Sequence, residues 1–215
     1  GIFRCDKLVK KIRFSTASDI FYKNIKSLVK YDINGVIISS VVPKVEKEME
    51  KAIKNIFKIN PHFVVSEDFK KEMPIKLRNK KEIGVDRLID AFAAKILYGC
   101  PVIVIDFGTA TTFCAVDAKG NYLGGAISPG IAISRDALHE KTAKLPMVRL
   151  KVPKKAIGNS TVSAIQSGIL FGYAGIVEGI SSRFKKTLGQ RAKVIATGGL
   201  AGIISDQTDI IDVVD

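Results

Sequence analysis

The sequence predicts an α/β protein made of two similar domains facing each other. Short β-branched runs alternate with stretches whose apolar residues recur at helical spacing, which fits helices layered on sheets rather than an all-α or all-β domain. With 215 residues, 47% of them hydrophobic, the chain has ample material for a buried core. An internal echo supplies the second domain. NGVIISSVVPKVEKEM and AKVIATGGLAGII each read as a buried strand, a turn bearing Ser or Thr, and a helix start. The boundary falls in or just after the helix between Gly84 and Gly99, giving domains 1–90 and 91–215.

GIFRCDKLVKKIRFST reads as two short strands joined at Cys5, Asp6 and Lys7. DIFYKNIKSLVKY has helical spacing, with Ile20, Ile25, Leu28 and Val29 on one face and Ser18 or Asp19 as its cap. NGVIISSVV suits a buried parallel strand. Pro43 then opens the helix PKVEKEMEKAIKNIF, where its missing N–H costs nothing. HFVVS is a further strand, and after a polar loop GVDRLIDAFAAKILYG forms a helix closed by Gly99. The second half opens with PVIVIDFGTATTFCAVDAKGNYLGGAI, which reads as three strands joined by a tight turn and a Lys119-Gly120-Asn121 turn. A helix near SRDALHEKTAKL and the lysine-rich connector VRLKVPKKAIGNST follow. TVSAIQSGILFGYAGIVEGISSRFKKTLG is one long helix or two, and AKVIATGG is a strand running into a glycine turn.

A formal charge of +13 raises the possibility of nucleic acid as a partner. The lysines, however, are scattered at helix-like spacing in KLVKKIR and KVEKEMEKAIKNIFK, which points to solvated faces and not to one binding stripe. Such a lysine load also suits heat-stable proteins. Cys5, Cys100 and Cys114 are widely spaced with no CxxC pair, which fits reduced thiols in a cytoplasm. His62 and His139 stand apart, leaving little for a His-based metal site or a Ser/His/Asp triad. No apolar run is long enough to span a membrane, and no secretory leader is visible.

The chemistry-bearing stretch is DFGTATT. Gly108 lets the backbone turn tightly, so that amides can form an anion-binding nest, with the hydroxyls of Thr109, Thr111 and Thr112 as further donors. Asp106 would repel phosphate alone, but it can hold a cation that bridges to phosphate or position a water. The competing reading is an ordinary hairpin with threonines on its polar face. In GVDRLID, Asp86 is either a helix cap or a general base for a substrate hydroxyl. Arg87 offers a bidentate fork to a carboxylate or phosphate. In GGAISPG, Gly124, Gly125, Pro129 and Gly130 suggest backbone that approaches something closely. Ser160 or Thr161 of GNST either caps the following helix or donates to a ligand at its N-terminus. Thr197, Gly198 and Gly199 of ATGG can admit a flat base or ribose, or make a plain strand-to-helix turn. All these motifs sit where strands end, the usual ligand edge of an open α/β sheet.

Taken in order, SSVVP (39–43), GVDR (84–87), DFGTATT (106–112), GGAISPG, GNST and ATGG resemble the motifs of type III pantothenate kinases, GVDR being similar to that family's GADR. The resemblance runs through nearly the whole chain. It implies two ribonuclease-H-like domains of the actin and sugar-kinase superfamily around a nucleotide cleft. It implies ATP-dependent phosphorylation of pantothenate, the first step towards coenzyme A, by a cytoplasmic homodimer with its substrate site near the dimer interface. The same resemblance makes Asp86 the base on the pantothenate hydroxyl. Gly84, Val85, Arg87 and Thr161 become substrate contacts, Thr109 an ATP contact, and Asp106 a ligand of a monovalent cation (K+ or NH4+) that acts alongside Mg2+. Departures are also visible. The family's DxGNT loop and first strand belong just before Gly1, and its final helix after Asp215, so both are expected to be missing from the sequence. Leu77 and Lys80 stand where the family usually shows Tyr and Pro. Two rival readings are a non-catalytic transcriptional accessory protein and a kinase for another small alcohol.

Overall fold

The computed structural model describes residues 1–5, 7–12 and 18–215, without the side chains of residues 18–21, 44 and 81. The expected corner at Asp6 and the expected Ser18 or Asp19 cap therefore lie outside the described residues. The chain divides into two compact units, Gly1–Val65 and Ser66–Asp215. The 90/91 boundary expected from the sequence falls inside one unbroken helix of the second unit.

In the first unit, β1 (Ile2–Arg4) and β2 (Lys7–Lys10) pair antiparallel. Helix α1 (Ser18–Lys26) stops two residues before Leu28, so the expected apolar face ends earlier than its spacing suggested. A strand–helix–strand crossover follows: β3 (Ile37–Ile38), α2 (Pro43–Phe57) and β4 (His62–Phe63), the two strands running parallel. The strand expected over NGVIISSVV shortens to two residues because the chain turns at Ser40, whose hydroxyl accepts from the Val42 N–H at 3.1 Å. Pro43 then starts α2 as expected, and Ala52 and Ile53 supply its buried face. The exposed Glu50–Lys54 pair on the opposite side, 2.7 Å apart, contributes only a few tenths of a kcal/mol.

The second unit is built on a five-stranded mixed sheet. Strands β5 (Val102–Phe107), β6 (Ala110–Val116) and β7 (Tyr122–Pro129) form an antiparallel meander. Strand β8 (Lys193–Thr197) joins the other edge of β5 in parallel, and β9 (Val213–Val214) pairs parallel to β8. The spatial order is β7-β6-β5-β8-β9. Alternation along the strands sorts the two faces. Ile103, Ile105, Phe107 and Phe113 face one core, which they share with Ile169, Leu170, Tyr173 and Val177 of α5 (Thr161–Leu188). The opposite face carries Val104, Asp106, Thr112 and Cys114, and onto β5 and β6 packs α3 (Val85–Tyr98) through Leu88, Ala91 and Ala94.

Helix α5 runs unbroken over 28 residues, its buried positions recurring from Ile165 to Ser181, so the sequence that allowed one helix or two makes one. Ser160 is its N-cap in a capping box with Ser163, the Ser163 N–H donating to Ser160 Oγ at 3.2 Å. Helix α4 (Ile131–Glu140) begins three residues before the expected segment and ends sooner. Gly130 caps it, and the buried Ile131 anchors its first turn. A short α6 (Ala201–Ser205) follows β8. Between the units' boundary and α3, Ile75 bridges in parallel to Tyr122, with Lys76 N–H donating to the Tyr122 carbonyl at 2.9 Å. That pairing lays residues 76–83 alongside the start of β7.

Candidate active site

Asp106 stands one residue from the end of β5, opposite Thr112 on β6 and Thr197 on β8. Two glycine turns flank its carboxylate. A Cβ on Gly108 would lie 3.2 Å from Asp106 Oδ2, and a Cβ on Gly198 would lie 2.6 Å from Oδ1 and 2.7 Å from the Phe107 nitrogen. Gly198 also has φ +96°, a left-handed conformation that a side chain would strain. DFGTATT and ATGG, whose nearest ends Thr112 and Ala196 are 84 residues apart in sequence, thus meet at one carboxylate because β5 and β8 are neighbours. The Gly108 N–H donates to the Ala110 carbonyl at 3.1 Å and closes the first of these turns.

Helix α3 brings the second set of groups. Its N-cap is Gly84, with no side-chain cap. Asp86 is therefore not the cap; it occupies the second helical position, exposed, with Oδ1 accepting from the Arg87 N–H at 2.9 Å. A carboxylate in the first turn is favoured there by the helix dipole. One turn further along the same face is Asp90, which the sequence reading passed over although its four-residue spacing from Asp86 was visible. Burial first, then the charges of Asp106 and Asp86, push the Asp90 carboxyl up to about 6. Burial, and after it Asp86, also raises Asp106. Three carboxylates from two elements thus act on one another across the face of the sheet.

Arg87 points the other way, towards β6 and β7. Its guanidinium lies over Gly125, where a Cβ would come within 2.9 Å of Nη2 and 1.7 Å of the Phe113 carbonyl oxygen. Gly125 is thus required by both the sheet and the arginine. Beside it, Cys114 Sγ is 3.5 Å from the hydroxyl of Tyr122, and both side chains are essentially inaccessible. Among the described residues no carboxylate forms an ion pair with Arg87, and its buried Nε–H has no partner. Arg87, Tyr122, Gly124 and Gly125 line a cavity of about 380 Å³, closed on the other side by Leu77, Arg78, Asn79, Glu82 and Ile83. The Asn79 side-chain amide donates to Glu82 Oε1 at 2.6 Å and ties that wall together.

The remaining sequence-selected residues fall in different places. Thr109 is exposed in the β5–β6 turn, and its carbonyl would lie 1.9 Å from a Cβ on Gly130, so this turn and the start of α4 touch. Thr112 shares the face of Asp106. Thr111 does not: it pairs with Phe107, is fully buried on the α5 side, and its hydroxyl has no partner among the described residues. Gly199 is exposed next to Gly198. Gly84 and Val85 form the entrance of α3, while Thr161 is the exposed first residue of α5 and is not among the residues lining the cavity. Neither Cys114 nor Tyr122 belongs to a sequence motif; the β6–β7 register places them beside Arg87.

Among the described residues no three His, Cys, Asp or Glu side chains gather as a ready-made metal site. The donor set around Asp106 fits a hard cation that takes one or two carboxylate oxygens and completes its shell with water and phosphate. The second unit is thus an α/β layer structure with acidic groups at the end of a central strand and at a helix entrance, beside two glycine turns packed against the strand's carboxylate. The chain belongs to the type III pantothenate kinase family, whose model matches residues 1–183. Its fold is also similar to the solved structure of a Campylobacter jejuni protein described as a Baf family transcriptional activator. Sequence identity is 21% and the TM-score 0.57, over 89% of this chain and 80% of that one. No helix among the described residues is long and apolar enough to cross a membrane.

Proposed function

We propose that this protein phosphorylates pantothenate with ATP, giving 4'-phosphopantothenate, the first step towards coenzyme A. The family match supports a kinase. The observation that carries the reading is the pairing, on one helical turn, of an exposed carboxylate with a half-buried arginine that forms no ion pair among the described residues. A cation on a cavity wall with no ion-paired carboxylate among the described residues favours an anionic ligand, and pantothenate carries both a carboxylate and a hydroxyl. Arg87 holds the carboxylate, Asp86 accepts the proton of the reacting hydroxyl, and Gly84 and Val85 frame them at the helix entrance; Thr161, which does not line the Arg87 cavity, has no part in this reading.

On the nucleotide side, Gly108 and Gly198 let phosphate oxygens approach the backbone, and Thr109 and Thr112 add hydroxyl donors. Gly199 leaves room for the ribose or base. Asp106 would hold a cation, and bound Mg2+ with K+ or NH4+ would neutralise phosphate charge there. The protein's own share is positioning and proton acceptance. The strand order, an antiparallel meander continued by two parallel strands, supports a ribonuclease-H-like second domain. A second such domain, a homodimer and a cytoplasmic setting belong to the same reading.

The test is turnover by Asp86→Asn in the full-length protein. Loss of a general base should lower kcat by roughly 10²–10⁴-fold at unchanged thermal stability. Turnover within twofold of wild type would remove Asp86 from this role.

A further inference from the structure

We infer that Cys114 and Tyr122 are positioning residues that hold the Arg87 guanidinium on the cavity wall without neutralising it. The inference rests on the reading of Arg87 as the group that receives the substrate's anionic end. Cys114 lies directly across from Gly125 in the β6–β7 register, and the guanidinium lies over Gly125, so the thiol and the arginine are immediate neighbours. Tyr122 stands behind the thiol, its hydroxyl 3.5 Å from Sγ. Both side chains are at or near zero exposure, and their places are fixed by the sheet and by the Ile75–Tyr122 bridge.

The chemistry of this cradle is unusual for a half-buried arginine. A carboxylate would fix the fork equally well, but it would cancel much of its field. Here burial pushes both the Cys114 thiol and the Tyr122 phenol up, so each is a neutral group at physiological pH. Neutral sulfur and oxygen accept N–H donors and restrict the rotamer while leaving the full positive charge for a ligand. The unpartnered Nε–H is what such an arrangement leaves over. An arginine loose in solvent would lose side-chain entropy on binding; one already held avoids that cost.

The experiment uses full-length protein with ¹⁵N-labelled arginine. The Arg87 Nε–H resonance is identified by its loss in Arg87→Lys. In Tyr122→Phe and Cys114→Ala this signal should shift and exchange with solvent about tenfold faster, with the melting temperature nearly kept. KM for pantothenate should rise by about the same factor while KM for ATP stays, and Cys114→Ser should recover most of the loss. An unchanged Nε–H signal in both variants overturns the proposal. The resonance needs no turnover, so a wild-type protein inactive on pantothenate would refute the proposed function and still leave the cradle to be judged by its spectrum. If Tyr122→Phe does not fold, Cys114→Ala alone decides.

Discussion

Asp90 puts a third carboxylate against Asp86 and Asp106, and its titration gives a residue-scale prediction. Its folded pKa of about 6 lies above the ordinary value of 3.8, so the folded state holds this proton more tightly than the unfolded chain. The contribution to stability is therefore present below about pH 4 and is lost as pH rises through 6. Asp90→Asn, uncharged throughout, should be more stable than wild type at pH 7.5 in metal-free buffer. The gain should be about 1–2 kcal/mol after discounting for solvent screening, and little should remain at pH 4. Urea unfolding at the two pH values checks this; an equal difference at both would show that Asp90 does not titrate in this way. Asp106, Gly108, Gly198 and Asp86 were legible in the sequence because Asp and Gly at element ends are conspicuous. Asp90 and Tyr122 were not, since one looks like a polar helix residue and the other like an ordinary strand aromatic. Their neighbours are set by packing and register, and a linear pattern does not carry those.

At the scale of elements, the glycine turns and caps are the places where single changes should tell most. Gly198→Ala adds a Cβ at φ +96° and drives it within 2.6 Å of Asp106 Oδ1. It should cost roughly 1–3 kcal/mol and weaken ATP binding by displacing the carboxylate. Gly202→Ala in α6 meets nothing within 4 Å and should instead be neutral or stabilising by about 0.5–1 kcal/mol. Calorimetric melting of the two variants separates these outcomes, and equal melting temperatures would contradict them. Ser160→Ala removes one half of the capping box of α5 and should cost about 1 kcal/mol, read from denaturant midpoints. Elements with long patterns and clear stops, such as α2, α3 and the β5–β7 meander, could be read directly. The short strands could not. An apolar run of β-branched residues says nothing of where the chain leaves its partner, which is why NGVIISSVV gave only β3. Strand β9 is two residues that become a strand only because β8 lies beside them.

At the scale of the whole molecule, the charge of +13 is spread over helices and connectors. It should support only weak, salt-sensitive binding to duplex DNA that disappears by about 0.2 M salt. A complex that survived higher salt and showed sequence preference would favour a regulatory role over a kinase. The fold class could be read from alternation of elements alone. The division into units at Val65 and Ser66 could not, because the segment after it carries no strong pattern and is ordered by the Ile75–Tyr122 bridge. The most direct measurement of the central claim is γ-phosphate transfer by purified full-length protein, supplied with ATP, Mg2+ and K+ and offered pantothenate beside a panel of other small alcohols. The expected result is 4'-phosphopantothenate formed in preference to every other product, identified by mass. ATP left intact, or phosphate delivered to another alcohol while pantothenate is ignored, would contradict the account.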